Sequence, residues 1–213
     1  MMEYCERLGD SFWAEPINAL TNAAFVIAAL LLFRLLLRQQ QRVPWDIYFL
    51  TLLVACVGLG SFLWHTLATS WSEQADKLPI FVFMFVYLHS YLAHILGLSR
   101  VWISVCLALF LLLNVVVGLW LPADFLNGSV MYLPALLALL MMALASVLRS
   151  LDSAKTMFTV VGLFCVSVTF RSIDQLLCDS FPLGTHFVWH LLNAMVLYWL
   201  MRVLIRPTLD VQA

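Results

Sequence analysis

Apolar runs about 20 residues long recur from one end of this chain to the other, with only short polar joints between them. A run of that length is what an α-helix needs to cross the roughly 30 Å hydrocarbon core of a bilayer. No water is available there, so backbone N–H and C=O groups must be satisfied within the segment, and continuous runs of this kind span as helices. Seven spans are predicted, at approximately residues 17–38, 44–68, 77–97, 100–120, 129–149, 156–176 and 184–205. They are helices 1 to 7 of an all-α integral membrane bundle, a single domain over residues 1–213. With 64% of residues hydrophobic and 11% charged, little is left for a soluble domain or a basic arm that would bind nucleic acid, and no segment points to an obligate protein partner. The first residues, Met1-Met2-Glu3-Tyr4-Cys5-Glu6, are acidic and unlike a secretory leader, so helix 1 is expected to be its own insertion signal.

Charge placement predicts the orientation. With the N-terminus outside, the inner joints and tail hold Arg34, Arg38, Arg42, Arg100, Arg149, Lys155, Arg202 and Arg206, and the outer side holds Arg7, Lys77 and Arg171. That bias favours an outer N-terminus and a cytoplasmic C-terminus. Trp13, Trp71 and Trp120 then mark the outer boundary, and Trp45 and Trp102 the inner one, as an aromatic belt requires. The short loops suggest a bacterial inner-membrane protein with its outer face toward the periplasm. Cys56, Cys106 and Cys165 fall inside spans, where a thiol behaves as a small apolar side chain. Cys5 and Cys178 fall in outer segments, where oxidising conditions permit a disulfide; a bridge is predicted, with two unpaired thiols as the alternative.

The polar residues inside the spans carry the chemistry. His186 and His190 in helix 7 stand at i and i+4, on one helix face. Ser61 and His65 repeat that spacing in helix 2. At 1.5 Å rise per residue, His65 lies roughly 5 Å below the outer boundary, and His186 and His190 roughly 3 and 9 Å. Three imidazoles at one depth suggest a metal; helix-contact histidines hydrogen-bonded to neighbouring helices are the alternative. Asp76 sits at the same level, where it is either a cap for helix 3 or a proton carrier. His89 and His94 lie deeper in helix 3, by roughly 18 and 26 Å from residue 77, too far to join.

Two other polar groups stand near the outer face. Glu3, Glu6, Asp10 and Glu15 crowd the segment before helix 1; they suit either a hard cation such as calcium or a solvated cap with Glu15 at the positive end of helix 1. Asn18, Thr21 and Asn22 continue a polar stripe into that helix. Arg171 and Asp174, at i and i+3 near the end of helix 6, either neutralise each other or bind a polar lipid head.

Three neutral imidazoles with a fourth position left open are the pattern of catalytic zinc. Such an ion acidifies water and polarises a carbonyl. Asp76 would then handle the proton, and Ser61 would donate a hydrogen bond to the oxyanion. These parts suit hydrolysis of an amide or ester in a membrane lipid, whose linkage would meet the metal while its tails occupy the bundle. A seven-helix receptor or lipid-binding scaffold with structural zinc is the alternative from another class.

The series Glu15-x-x-Asn18-x-x-Thr21-Asn22, Ser61-x-x-x-His65, Asp76-Lys77-Leu78-Pro79, Arg171-x-x-Asp174 and Gly184-x-His186-x-x-x-His190 resembles the alkaline ceramidase family along essentially the whole chain. The resemblance implies a zinc amidase that cleaves ceramide-like sphingolipids to a long-chain base and a fatty acid, with zinc on His65, His186 and His190 and with Ser61 and Asp76 catalytic. Asn18, Asn22, Arg171 and Asp174 then bind substrate or support the site. It also implies a calcium site, onto which Glu3, the Tyr4 carbonyl, Glu6 and Glu15 map, and a disulfide matching Cys5–Cys178. The family usually has an aspartate-tryptophan pair at Glu3-Tyr4 and a glutamate at Lys77. The wider superfamily, which includes adiponectin-receptor-like proteins, shares the serine, aspartate and three-histidine core.

Overall fold

The computed structural model describes residues 4–122 and 124–205. Among these residues seven helices are long and apolar enough to cross a membrane: helix 1 (Pro16–Leu37), helix 2 (Trp45–Leu67), helix 3 (Ser70–Ile95), helix 4 (Arg100–Trp120), helix 5 (Ser129–Leu148), helix 6 (Ala154–Leu177) and helix 7 (His186–Ile205). Each boundary lies within two residues of the sequence expectation except the start of helix 3. The stretch Ser70–Asp76 is helical rather than a joint. Thr69 caps it reciprocally with Ser72: the Thr69 hydroxyl accepts from the Ser72 N–H at 3.4 Å, and the Ser72 hydroxyl accepts from the Thr69 N–H at 2.9 Å. Asp76 therefore lies almost two turns inside the helix and is not its cap.

Helices 2 and 7 are the most buried of the seven, and helix 4 is the least. Apolar contact between helices cannot hold such a bundle against apolar lipid; close approach and internal hydrogen bonds do more. The Tyr87 hydroxyl donates to the Leu200 carbonyl at 3.0 Å, tying helix 3 to helix 7, and the Tyr91 hydroxyl reaches the Met142 carbonyl at 3.1 Å on helix 5. Toward the other end of the bundle from His65, His186 and His190, Asp46 accepts from Ser90 at 2.5 Å and meets the His94 ring at 2.8 Å, while His89 is exposed. Neither His89 nor His94 joins the three-histidine cluster. Trp13, Trp45, Trp71, Trp102 and Trp120 are all exposed near helix ends.

Helices 2 and 3 approach closely at Gly60. Pro79 has no N–H, so the Ala75 carbonyl one turn earlier lacks its usual helical donor. That carbonyl lies directly against Gly60, where a Cβ would stand 2.0 Å from the Ala75 oxygen. Proline and glycine together let the two backbones touch, and the neighbouring residues are Ser61 and Asp76. Gly60→Ala is expected to push helix 3 outward and separate that pair. A misplacement of about 1 Å costs on the order of 10²-fold in rate. The check is turnover beside Gly162→Ala, a position with nothing within 4 Å of the added methyl, which should be silent.

Candidate metal centre and its cavity

The start of helix 7 is set by a residue on helix 6. Gly184 adopts φ +64°, a conformation costly for any residue with a side chain, and a Cβ there would lie 2.2 Å from Asp174 Oδ1. The turn lets Asp174 Oδ1 accept from the backbone N–H of Thr185 at 2.5 Å and of His186 at 2.8 Å, two donors that a helix leaves unpaired at its start. Asp174 Oδ2 accepts from the Cys5 N–H at 3.0 Å, and Cys5 is disulfide-bonded to Cys178. One buried carboxylate therefore joins the N-terminal segment, helix 6 and the first turn of helix 7. Arg171 does not pair with it. Its Nη1 donates to the Asn127 carbonyl and, at 3.0 Å, to the Ser129 hydroxyl, and its guanidinium lies 5.5 Å from the Tyr132 ring centroid.

His186, His190 and His65 are brought together, each 1% exposed, with one nitrogen apiece inside a span of 4.8 Å. The Nε2 atoms of His65 and His190 face each other at 3.2 Å. Their outer nitrogens are held from behind: His65 Nδ1 meets Glu15 Oε2 at 2.6 Å, and His190 Nδ1 meets Thr21 Oγ1 at 2.9 Å. Anchoring one ring nitrogen on a carboxylate or hydroxyl, so that the other points inward, is how metal-binding histidines are oriented. His186 Nδ1 is buried with no hydrogen-bond partner, and the Tyr4 ring stacks on this imidazole at 3.8 Å. A buried ring nitrogen without a partner beside two converging Nε2 atoms is a donor set that fits a divalent cation such as zinc.

Of the oxygen donors mapped to calcium, those that the structure describes are engaged by other groups. Glu3 lies outside the described residues. The Glu6 carboxylate accepts from the N–H groups of Ile17 at 2.7 Å and Asn18 at 2.8 Å, so Glu6 rather than Glu15 caps helix 1. The Tyr4 carbonyl accepts from the Arg7 N–H at 3.2 Å. Glu15, 2% exposed, is ion-paired with Arg7 and accepts from Asn18 Nδ2 at 3.0 Å, in addition to its contact with His65. Burial pushes the Glu15 carboxyl up, but the hydrogen bond and charge of His65, then Asn18 and Arg7, outweigh it and hold it below the usual carboxylate range.

The three-histidine cluster lies beside a cavity of about 630 Å³ lined by the helices and by the loop at Asp124, Asn127 and Gly128. His186, His190, Ser61 and Asp76 lie on its wall with Arg171 and Asn193. Ser61 and Asp76 are within hydrogen-bonding reach of each other. Asn18 and Asn22 are not on that wall: the Asn22 side chain donates to the Asn18 carbonyl at 2.8 Å inside helix 1, a supporting position. Lys77 lines the mouth and pairs with Glu73 one turn away. A second, apolar cavity of about 60 Å³ lies deeper and shares Val57, Ile80, Met84, Tyr132 and Asn193 with the first. Arg7, Thr21 and the Tyr4 ring are site residues whose roles sequence spacing did not reveal; Thr21 alone carried a signal, lying in the polar stripe of helix 1.

Fold and site together define a multi-pass membrane protein with a buried three-histidine cluster opening on an internal, partly polar cavity. A family model described as Ceramidase matches residues 1–211. The chain belongs to the ceramidase family, whose members are membrane hydrolases that act on the amide bond of ceramide. No match was found among curated proteins.

Proposed function

We propose that the chain is a zinc-dependent amidase, hydrolysing ceramide-like sphingolipids to a long-chain base and a free fatty acid at a site near the outer face of the membrane. The convergence of three buried imidazoles, two of them on the wall of the cavity, carries this reading. His65, His186 and His190 would hold the zinc ion, which when bound would supply a Lewis acid to acidify water and polarise a carbonyl. This chain's residues do the rest. Asp76 accepts the proton that the attacking water loses as its oxygen bonds to the acyl carbon. It passes that proton to the nitrogen as the C–N bond breaks, so water is divided between the acid and the amine. Ser61, beside Asp76, donates to the carbonyl oxygen as that oxygen becomes negative. The polar groups Asp76, Lys77 and Arg171 on the cavity wall suit a lipid head group.

The placement of lysine and arginine supports an outer N-terminus, which puts the site on the outer side, periplasmic in a bacterial inner membrane. The test is purified protein in detergent with ceramide, an N-acylethanolamine and an ester lipid, followed by mass spectrometry of both products. Release of sphingoid base and fatty acid in equal amounts from ceramide, at least about tenfold faster than from the others, is expected. Faster cleavage of another lipid would reassign the substrate. No turnover of any lipid by zinc-loaded protein would leave a receptor or scaffold.

A further inference from the structure

The segment before helix 1 contains a cation of its own. Arg7 is 6% exposed, and its guanidinium is surrounded by oxygen. Nε donates to Glu15 Oε1, Nη2 to the His65 carbonyl at 2.9 Å and Nη1 to the Gly9 carbonyl at 3.3 Å. One carboxylate and two carbonyl oxygens are the kind of donors a hard cation takes. We propose that Arg7 stands in for calcium in this chain, so that its zinc site is held in place by a covalently attached cation and is indifferent to calcium.

Three observations carry this beyond a simple ion pair. First, the charges are matched without a further ion. Of the carboxylates mapped to calcium that the structure describes, Glu6 lies on the positive start of helix 1 and Glu15 on Arg7, so both are already matched. Second, Arg7 grips His65 at two points. Glu15 fixes its ring through Nδ1, and the guanidinium takes its main-chain carbonyl. That carbonyl belongs to the last turn of helix 2, where Ala68 turns into the left-handed region at φ 48° and the final carbonyls have no helical donors. Third, the arginine is anchored in the chain: Cys5, two residues earlier, is bonded to Cys178, and the Arg7 N–H returns to the Tyr4 carbonyl. Arg7 is thus a positioning residue, acting on the metal through Glu15 and His65.

The part of this proposal that concerns His65 rests on the zinc reading; the calcium part does not. The experiment uses the full chain in detergent, assayed for bound zinc, for radioactive calcium at equilibrium, and for melting temperature with and without added calcium chloride. Wild-type protein is expected to bind no calcium, to show no calcium-dependent melting shift, and to change less than about twofold in turnover on calcium addition. Arg7→Met, which keeps an unbranched stem but removes the charge, leaves Glu15 without its cation. Loss of such an orienting partner lowers metal affinity roughly 10- to 100-fold. Arg7→Met is expected to show that loss, to gain calcium binding, and to recover zinc retention as calcium is added. Arg7→Lys is expected to stay calcium-blind with most of its zinc retention intact, a rescue that mere filling of space would not give. Should Arg7→Met fail to fold, wild type and Arg7→Lys still decide the calcium question. One calcium bound per wild-type chain overturns the proposal, as does Arg7→Met protein that holds zinc as tightly as wild type or remains calcium-blind. Wild-type protein without zinc would instead refute the metal reading of the three histidines and leave the calcium arm standing.

Discussion

Wild-type protein is expected to contain about one zinc per chain, and protein carrying alanine at both His186 and His190 essentially none, with a loss of turnover of about 10³-fold or more. A Lewis acid at the reacting carbonyl is worth several kcal/mol, and each 1.36 kcal/mol is a factor of ten in rate. Two of three ligands would be gone, and His65 alone cannot retain the ion. Elemental analysis of the purified variant, with its melting curve as a folding control, makes the measurement. His89→Ala, at an exposed position away from the cluster, should leave both zinc and rate unchanged. A double variant that keeps its zinc would mean the ion sits elsewhere and would remove the proposed chemistry.

The second large effect separates metal binding from proton transfer. Asp76→Asn keeps the size and hydrogen-bonding reach of the side chain but has no carboxylate to receive a proton. Loss of a positioned acid–base group lowers rate by roughly 10²–10⁴-fold. Because Asp76 lies on the cavity wall beside Ser61 and is not among the three converging residues, zinc content should remain about one per chain. Ser61→Ala should lose roughly 10²–10³-fold if its hydroxyl stabilises the developing oxyanion. The two losses should not add in the double variant, since the groups act on one event. Asp76→Asn protein with full turnover would exclude it as the proton carrier, and one without zinc would make it a ligand.

These expectations rest on unequal foundations. The seven spans were legible because a bilayer imposes a length, and helix 3 shows the limit of that reading. Glu73, Gln74, Asp76 and Lys77 are polar, so the first two turns of helix 3 look like a joint on hydropathy. The signal that they are helical was local and small, the Thr69–Ser72 cap. The common depth of His65, His186 and His190 was legible for the same reason as the spans, since helical rise converts residue number to depth. The acidic segment was not. Glu3, Glu6, Asp10 and Glu15 read as a candidate cation site, and nothing in their spacing shows that Glu6 turns to the helix 1 amides or that Arg7 folds onto Glu15. The Arg171–Asp174 spacing suggested a pair, yet Asp174 is spent on the start of helix 7 and Arg171 on the loop at Asn127 and Ser129.

By itself, then, the sequence determined the number of helices, the level of the histidines and the residue types available for metal chemistry. All of these follow from two one-dimensional quantities, the thickness of the bilayer and the 1.5 Å rise per residue. Which groups face one another was decided only by tertiary structure. The Gly60–Ala75 contact that brings Ser61 to Asp76, the Asp174 carboxylate that starts helix 7 and the Arg7 guanidinium behind His65 each join residues 11 to 58 positions apart on different elements. A buried charge or an unpaired backbone group takes whichever partner the packed helices bring within about 3 Å, and spacing along the chain does not specify that partner.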